Sequence, residues 1–142
     1  HIFEPDLDIY VKAAVNTRRL VADTKPKEAD VFIIAVPTPF HEGYIPNIDY
    51  VISATKSIVP YVREGNVVIL ESTSPVGTTE KIEEILRTSG IDTTKIYIAH
   101  CPERVLPGKI MKELVENDRI VGGLTPEATK VVAEFYREFV QD

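Results

Sequence analysis

The chain has 142 residues, 44% hydrophobic and 27% charged, which is enough for one apolar core and fits a single domain over 1–142. Its 16 basic and 22 acidic side chains leave a formal net charge of −6 with no run of Lys or Arg, which argues against nucleic acid or an anionic membrane and for a small-molecule partner. No apolar stretch approaches the roughly 20 residues of a membrane span, and the single cysteine, Cys101, rules out an internal disulfide, so a cytoplasmic setting is expected.

The opening HIFEPDLD lacks Met and reads as mid-phrase, so the chain is expected to be a piece of a longer protein. A short helix is expected over 6–15, then an apolar run, RLVA, over 19–22. Further runs rich in Val and Ile follow: DVFIIAV at 30–36, NVVILE at 66–71, KIYIA at 95–99 and RIVGG at 119–123. Their continuous rather than alternating apolar character suits strands covered on both faces.

Helical spacing fills the gaps. Over 47–63, Ile48, Val51, Ile52, Val59 and Val62 share a face, with Asn47 as N-cap and Gly65 past the end. Over 75–88, Ser74 is placed to cap and Pro75 to open the first turn, with Ile82, Ile85 and Leu86 as the stripe. A further helix is expected over 108–116. Over 126–140, Thr125-Pro126-Glu127 gives the start signal, and Val131, Val132, Phe135, Tyr136 and Phe139 are expected to face inward. Strands alternating with helices imply an α/β, doubly wound, mainly parallel sheet.

Ligands on such sheets collect at the carboxyl ends of the strands, which here read VPTP, ESTSPVG, HCPERVLPG and GGLTP. The prolines of VPTPF suit either a wall for a flat ring or ribose, or a stiff strand-to-helix turn. ESTSPVGTT gathers hydroxyls beside a helix N-terminus, which suits an anionic or carbonyl oxygen, although capping by Ser74 accounts for part of it. In HCPERVLPG, Glu103 has the placement of a general base acting on a water; its alternative is a salt bridge to Arg104 or Lys109. Cys101, at the end of a buried strand with no base nearby in sequence, is read as packing rather than as a nucleophile. His100 is read as a wall residue, and His41 and Glu42 as solvated, so no metal site is expected. A G-x-G-x-x-G turn is absent, and the pair Gly122-Gly123 does not fit its spacing.

Four segments in order, DVFIIAVPTP with the nearby PNIDYV, VVILESTSPVGTTEKI and CPERVLPGKIMKELVENDRIVGG, resemble the nucleotide-sugar 6-dehydrogenases, the NAD-dependent family of UDP-glucose dehydrogenase, over nearly the whole chain. The form PERVLPG is most similar to the branch that acts on UDP-N-acetyl-D-mannosamine. The resemblance implies a Rossmann-like NAD-binding domain whose first strand-helix-strand unit, with its glycine turn, lies upstream of His1. It also implies a catalytic cysteine loop, a catalytic lysine and a central helix beyond Asp142, so that Cys101 is not the nucleophile and this stretch alone is inactive.

By the same resemblance, Val36, Pro37 and Thr38 border NAD on the ribose and adenosine side. Ser72 and Thr73 stand near the nicotinamide, with Thr73 helping to hold a water on which Glu103 acts. The backbone of Arg104, Val105, Leu106 and Gly108, stiffened by Pro107, faces the sugar. The family oxidises a C6 alcohol to the uronate by two hydride transfers to NAD, with thiohemiacetal and thioester stages on the cysteine. UDP-N-acetyl-D-mannosamine is the implied substrate, UDP-glucose or UDP-N-acetylglucosamine the alternatives, and a homo-oligomer the implied assembly. The competing class is a non-enzymatic Rossmann-like binding module. In the family's sheet order RLVA is strand three and DVFIIAV strand four, so the resemblance predicts that RLVA moves beside DVFIIAV or that another chain fills the gap.

Overall fold

The computed structural model describes residue 4 and residues 6–140. In chain order it contains α1 (Leu7–Asn16), β1 (Val31–Ile34), α2 (Asp49–Ile58) extended by a 3₁₀ turn at Val59–Tyr61, β2 (Val67–Leu70), α3 (Thr78–Thr88), a 3₁₀ turn at Thr93–Lys95, β3 (Tyr97–His100), α4 (Ile110–Glu116), β4 (Gly122–Gly123) and α5 (Pro126–Arg137). The sheet order is β1-β2-β3-β4. β1 pairs parallel with β2, with Ile34 opposite Leu70, and β2 pairs parallel with β3, with Leu70 opposite His100. The architecture is α/β with a mainly parallel sheet between two helical layers.

The two-residue period of the strands divides the core. Phe32, Ile34, Val68, Leu70 and Ile98 point to one face, where Val51 and Ile58 of α2 and Ile82 and Leu86 of α3 cover them. Val67, Ile69, Ala99 and Cys101 point to the other face, under Val132 and Tyr136 of α5. All four residues of β2 are buried, as a strand covered on both sides requires. β1 is covered on one face only: Ile33, on the α5 side, is 44% exposed.

Four expectations are corrected. RLVA forms no strand. Its residues lie in the turn that ends α1, with the Leu20 amide donating to the Ala14 carbonyl, and Leu20 and Val21 remain exposed. The segment therefore builds no ladder on β1, whose outer edge stays unpaired among the described residues. The second correction concerns GGLTP: β4 runs antiparallel to β3, with Ala99 opposite Gly123 and His100 opposite Gly122, so GGLTP leads away from the rim that gathers the other three strand ends. A parallel return needs a crossover helix packed on the sheet. α4 buries none of its residues, so the chain stays at the rim where β3 ends and re-enters from there.

The third correction is the start of α3. Pro75 belongs to a turn in which the Thr78 amide and hydroxyl both donate to the Pro75 carbonyl, and Gly77, in left-handed backbone at φ 91°, opens the helix instead of Ser74. The fourth is Phe139, which lies past the end of α5 and is 42% exposed. Elsewhere the caps are as expected in kind: Asn47 accepts from the Asp49 amide, and Thr125 accepts from the Ala128 amide.

Candidate active site on the sheet rim

Parallel pairing of β1, β2 and β3 delivers three loops to one edge, and the antiparallel β4 keeps the whole segment 101–121 there as well. The contacts between the loops are specific. The Glu71 and Ser72 amides both donate to the Ile34 carbonyl, and the Glu103 amide donates to the Glu71 carbonyl at 3.2 Å. His100 Nε2 lies 3.3 Å from the Ser72 carbonyl, a wall contact of the kind expected for it. Thr73 and Glu103 therefore leave adjacent strands on the same side of the molecule.

Ser72 is the joint between the first two loops. Its buried hydroxyl accepts from the Val36 amide at 2.7 Å and donates to the Val36 carbonyl at 2.8 Å. That hydroxyl is committed to the backbone. Its neighbour Thr73 is exposed, with a hydroxyl that no described residue engages, so Thr73 is the member of the pair free to meet a ligand. Val36 and Thr38 are half-buried and Pro37 is exposed, forming a short wall beyond β1.

The loop after β3 is held by carboxylates. The exposed Glu103 carboxylate accepts from the Val105 amide two residues on, a local cap, and takes part in no ion pair with Arg104 or Lys109. Glu113 accepts from the Leu106 amide at 2.8 Å, and Glu4 accepts from the Gly108 amide at 2.8 Å. Three backbone donors of the segment expected to face a sugar are thus already satisfied. Its carbonyls, its side chains and the carboxylates themselves are what remain for a ligand. Gly108, at φ 89°, supplies the left-handed bend from which α4 starts.

Sequence reasoning missed the layer below the rim. Glu71, Arg119 and Tyr136 are joined through Glu71 Oε1, which accepts from the Tyr136 hydroxyl at 3.3 Å and lies 3.5 Å from Arg119 Nη1. The available signal was positional: an acid closes one apolar run and a base opens another at the same rim. Burial raises the Cys101 thiol above its ordinary value, and burial likewise pushes the Tyr136 phenol well up, so both are neutral at pH 7. A buried, protonated Cys101 is a packing residue, as the sequence implied. Among the described residues, no group of three or more His, Cys, Asp or Glu could hold a metal ion, and no helix is long and apolar enough to cross a membrane.

Residues 1–140 match the NAD-binding domain of the UDP-glucose/GDP-mannose dehydrogenase family. The chain belongs to that family. It is 51% identical, across 99% of its own length and 37% of the relative's, to the UDP-N-acetyl-D-mannosamine dehydrogenase of Campylobacter jejuni. It is 48% identical to the NDP-N-acetyl-D-galactosaminuronic acid dehydrogenase of Ralstonia solanacearum, over 99% of the chain and 36% of that protein. The structure of the UDP-N-acetyl-mannosamine dehydrogenase Cap5O from Staphylococcus aureus superposes with a TM-score of 0.92 at 40% identity, over 99% of this chain and 35% of that one. The chain thus spans a little over a third of the length of these relatives. The described rim fits one side of a dinucleotide: the Val36–Thr38 stretch offers an apolar wall, while the sequence holds no G-x-G-x-x-G turn to cradle a pyrophosphate.

Proposed function

We propose that this chain is the NAD-binding part of a nucleotide-sugar 6-dehydrogenase that oxidises UDP-N-acetyl-D-mannosamine to its uronate. The observation that carries the reading is the direct seating of the Glu103 loop on the end of β2, through the Glu103 amide and the Glu71 carbonyl two residues before Thr73. A hydroxyl and a carboxylate on converging, backbone-locked loops are the parts needed to hold and activate a water.

Bound NAD supplies the hydride acceptor for each of the two oxidations. In this reading Val36, Pro37 and Thr38 shape the wall on its ribose side, and Ser72 fixes that wall against β2. Thr73 holds the water of the final, hydrolytic step. As that water forms its bond to the acyl carbon, its proton passes to the Glu103 carboxylate and the carbon–sulfur bond breaks, releasing the cysteine thiolate. Arg104, Val105, Leu106 and Gly108 border the sugar, held at the distance that Glu4 and Glu113 set. The cysteine belongs to the remainder of the enzyme.

The decisive test is Glu103→Gln in an intact dehydrogenase carrying this domain. Gln keeps an oxygen for the Val105 amide, so the loop cap survives while the base is lost. Turnover is expected to fall by roughly 100-fold or more with thermal stability unchanged; undiminished turnover would refute the assignment. Relatives of nearly equal identity carry names for two different N-acetylated sugars. A substrate panel therefore belongs with the test, and the N-acetylmannosamine nucleotide is expected to give the highest kcat/KM.

A further inference from the structure

Arg119 is an expensive residue where it stands. Its side chain is 5% exposed, and among the described residues its buried Nε and Nη2 have no partner. Burying two donors without partners is costly, and replacing such a buried ion pair as a whole by apolar groups is often neutral or stabilising. What the guanidinium supplies is a connection. We propose that Arg119 is a positioning residue that fixes the Glu103 loop against the end of β2 by closing a ring of contacts around both.

The ring can be followed residue by residue. The Glu103 amide donates to the Glu71 carbonyl. The next residue, Arg104, donates from Nη1 to the Asp118 carbonyl at 3.3 Å, and its own carbonyl accepts from Asn117 Nδ2 at 3.3 Å. Asn117 and Asp118 lead into Arg119, which returns to Glu71 through Nη1 and Oε1. Tyr136 of α5 braces the closure from below: its hydroxyl donates to the same Glu71 oxygen, and its ring lies under the guanidinium, 5.3 Å from centroid to Cζ. Two strand ends, the loop before β4 and a helix thus meet at one residue, Glu71. Removing Arg119 opens the ring on the side that Arg104 holds.

The proposal rests on Glu103 acting in the hydrolytic step, and its test separates the two claims. In an intact dehydrogenase carrying this domain, Arg119→Met is expected to lower kcat roughly 10- to 100-fold, as small displacements of reacting groups do. The KM for the nucleotide sugar should fall in proportion, leaving kcat/KM within about twofold, because hydrolysis follows the first irreversible step. A rapid burst of NADH should then precede the slow steady state. Arg119→Lys, which keeps the charge but not the fork, should recover part of kcat. Unchanged kcat in Arg119→Met, or a loss of kcat/KM without a burst, overturns the positioning role. Should Arg119→Met fail to fold, Tyr136→Phe, which removes the hydroxyl that reaches Glu71 while keeping the ring, decides by the same criteria with a smaller effect. If Glu103→Gln itself retains full turnover, it is the hydrolytic reading that fails.

Discussion

Two adjacent glycines in β4 give a paired experiment. A β-carbon on Gly123 would lie 2.3 Å from the Thr129 amide nitrogen, 2.7 Å from Thr129 Oγ1 and 2.8 Å from the Ala128 carbonyl carbon. Two of these three atoms are backbone of the first turn of α5, so the clash cannot be relieved by turning a side chain alone. Overpacking of this kind costs about 1–3 kcal/mol. The hydrogen bond from the Gly123 amide to Thr129 Oγ1 at 3.0 Å is strained in the same movement, at about 1 kcal/mol. Against this, Ala restricts the unfolded chain and returns about 0.4–1 kcal/mol. Gly123→Ala is therefore expected to destabilise by about 1–3.5 kcal/mol, a fall in Tm of roughly 3–12 °C for a domain of this size. A β-carbon on Gly122 meets nothing closer than the His100 carbonyl at 4.0 Å, so Gly122→Ala should be close to neutral. Urea unfolding followed by circular dichroism reads both, with the slope of the transition unchanged. If Gly123→Ala falls within about 0.5 kcal/mol of the parent, the close packing of α5 on β4 is wrong.

Two further outcomes are expected. Ser72→Ala removes a buried hydroxyl and leaves the half-buried Val36 amide just past β1 without its acceptor, and should cost about 1–3 kcal/mol in urea unfolding, far more than the same change at the exposed Thr73. The pH profile of stability follows from Cys101 and Tyr136, whose folded values are raised, in both cases first by burial. Such groups contribute stability below their unfolded values and lose it as pH rises, because only the unfolded chain releases the proton. Stability read from urea unfolding should therefore hold to about pH 8 and then decline, first as the unfolded cysteine ionises and further as the unfolded tyrosine does, by at most about 1.4 kcal/mol per pH unit for each group; a profile flat to pH 11 would contradict their burial.

The three parallel strands were legible because period, β-branching and end signals agreed; β1 and β2 lie inside their sequence runs, and β3 oversteps its run by one residue, His100. α5 was legible for the same reason, with the Thr125 cap, Pro126 and Glu127 all pointing to one start. RLVA misled because apolar residues make a strand only where a neighbour accepts their backbone, and the stretch was spent ending α1. The direction of β4 depended on whether α4 would pack across the sheet, a property of its burial and not of its periodicity. Among the site residues, Thr73 and Glu103 stood out by residue type at strand ends. The joint made by Ser72 and the bond between Glu71 and Arg119 did not, since their partners lie 36 and 48 residues away and nothing local marks them.

Because β4 re-enters beside the very end of β3, the excursion starts and ends at neighbouring points of the sheet and never crosses one of its faces. Changes in its length or composition can be absorbed without shifting the register of any strand. Under the proposed function, the part of the excursion between the Arg104 and Asn117 contacts is where sugar preference can change, while Glu103 at its start and Arg119 at its end stay tied to β2.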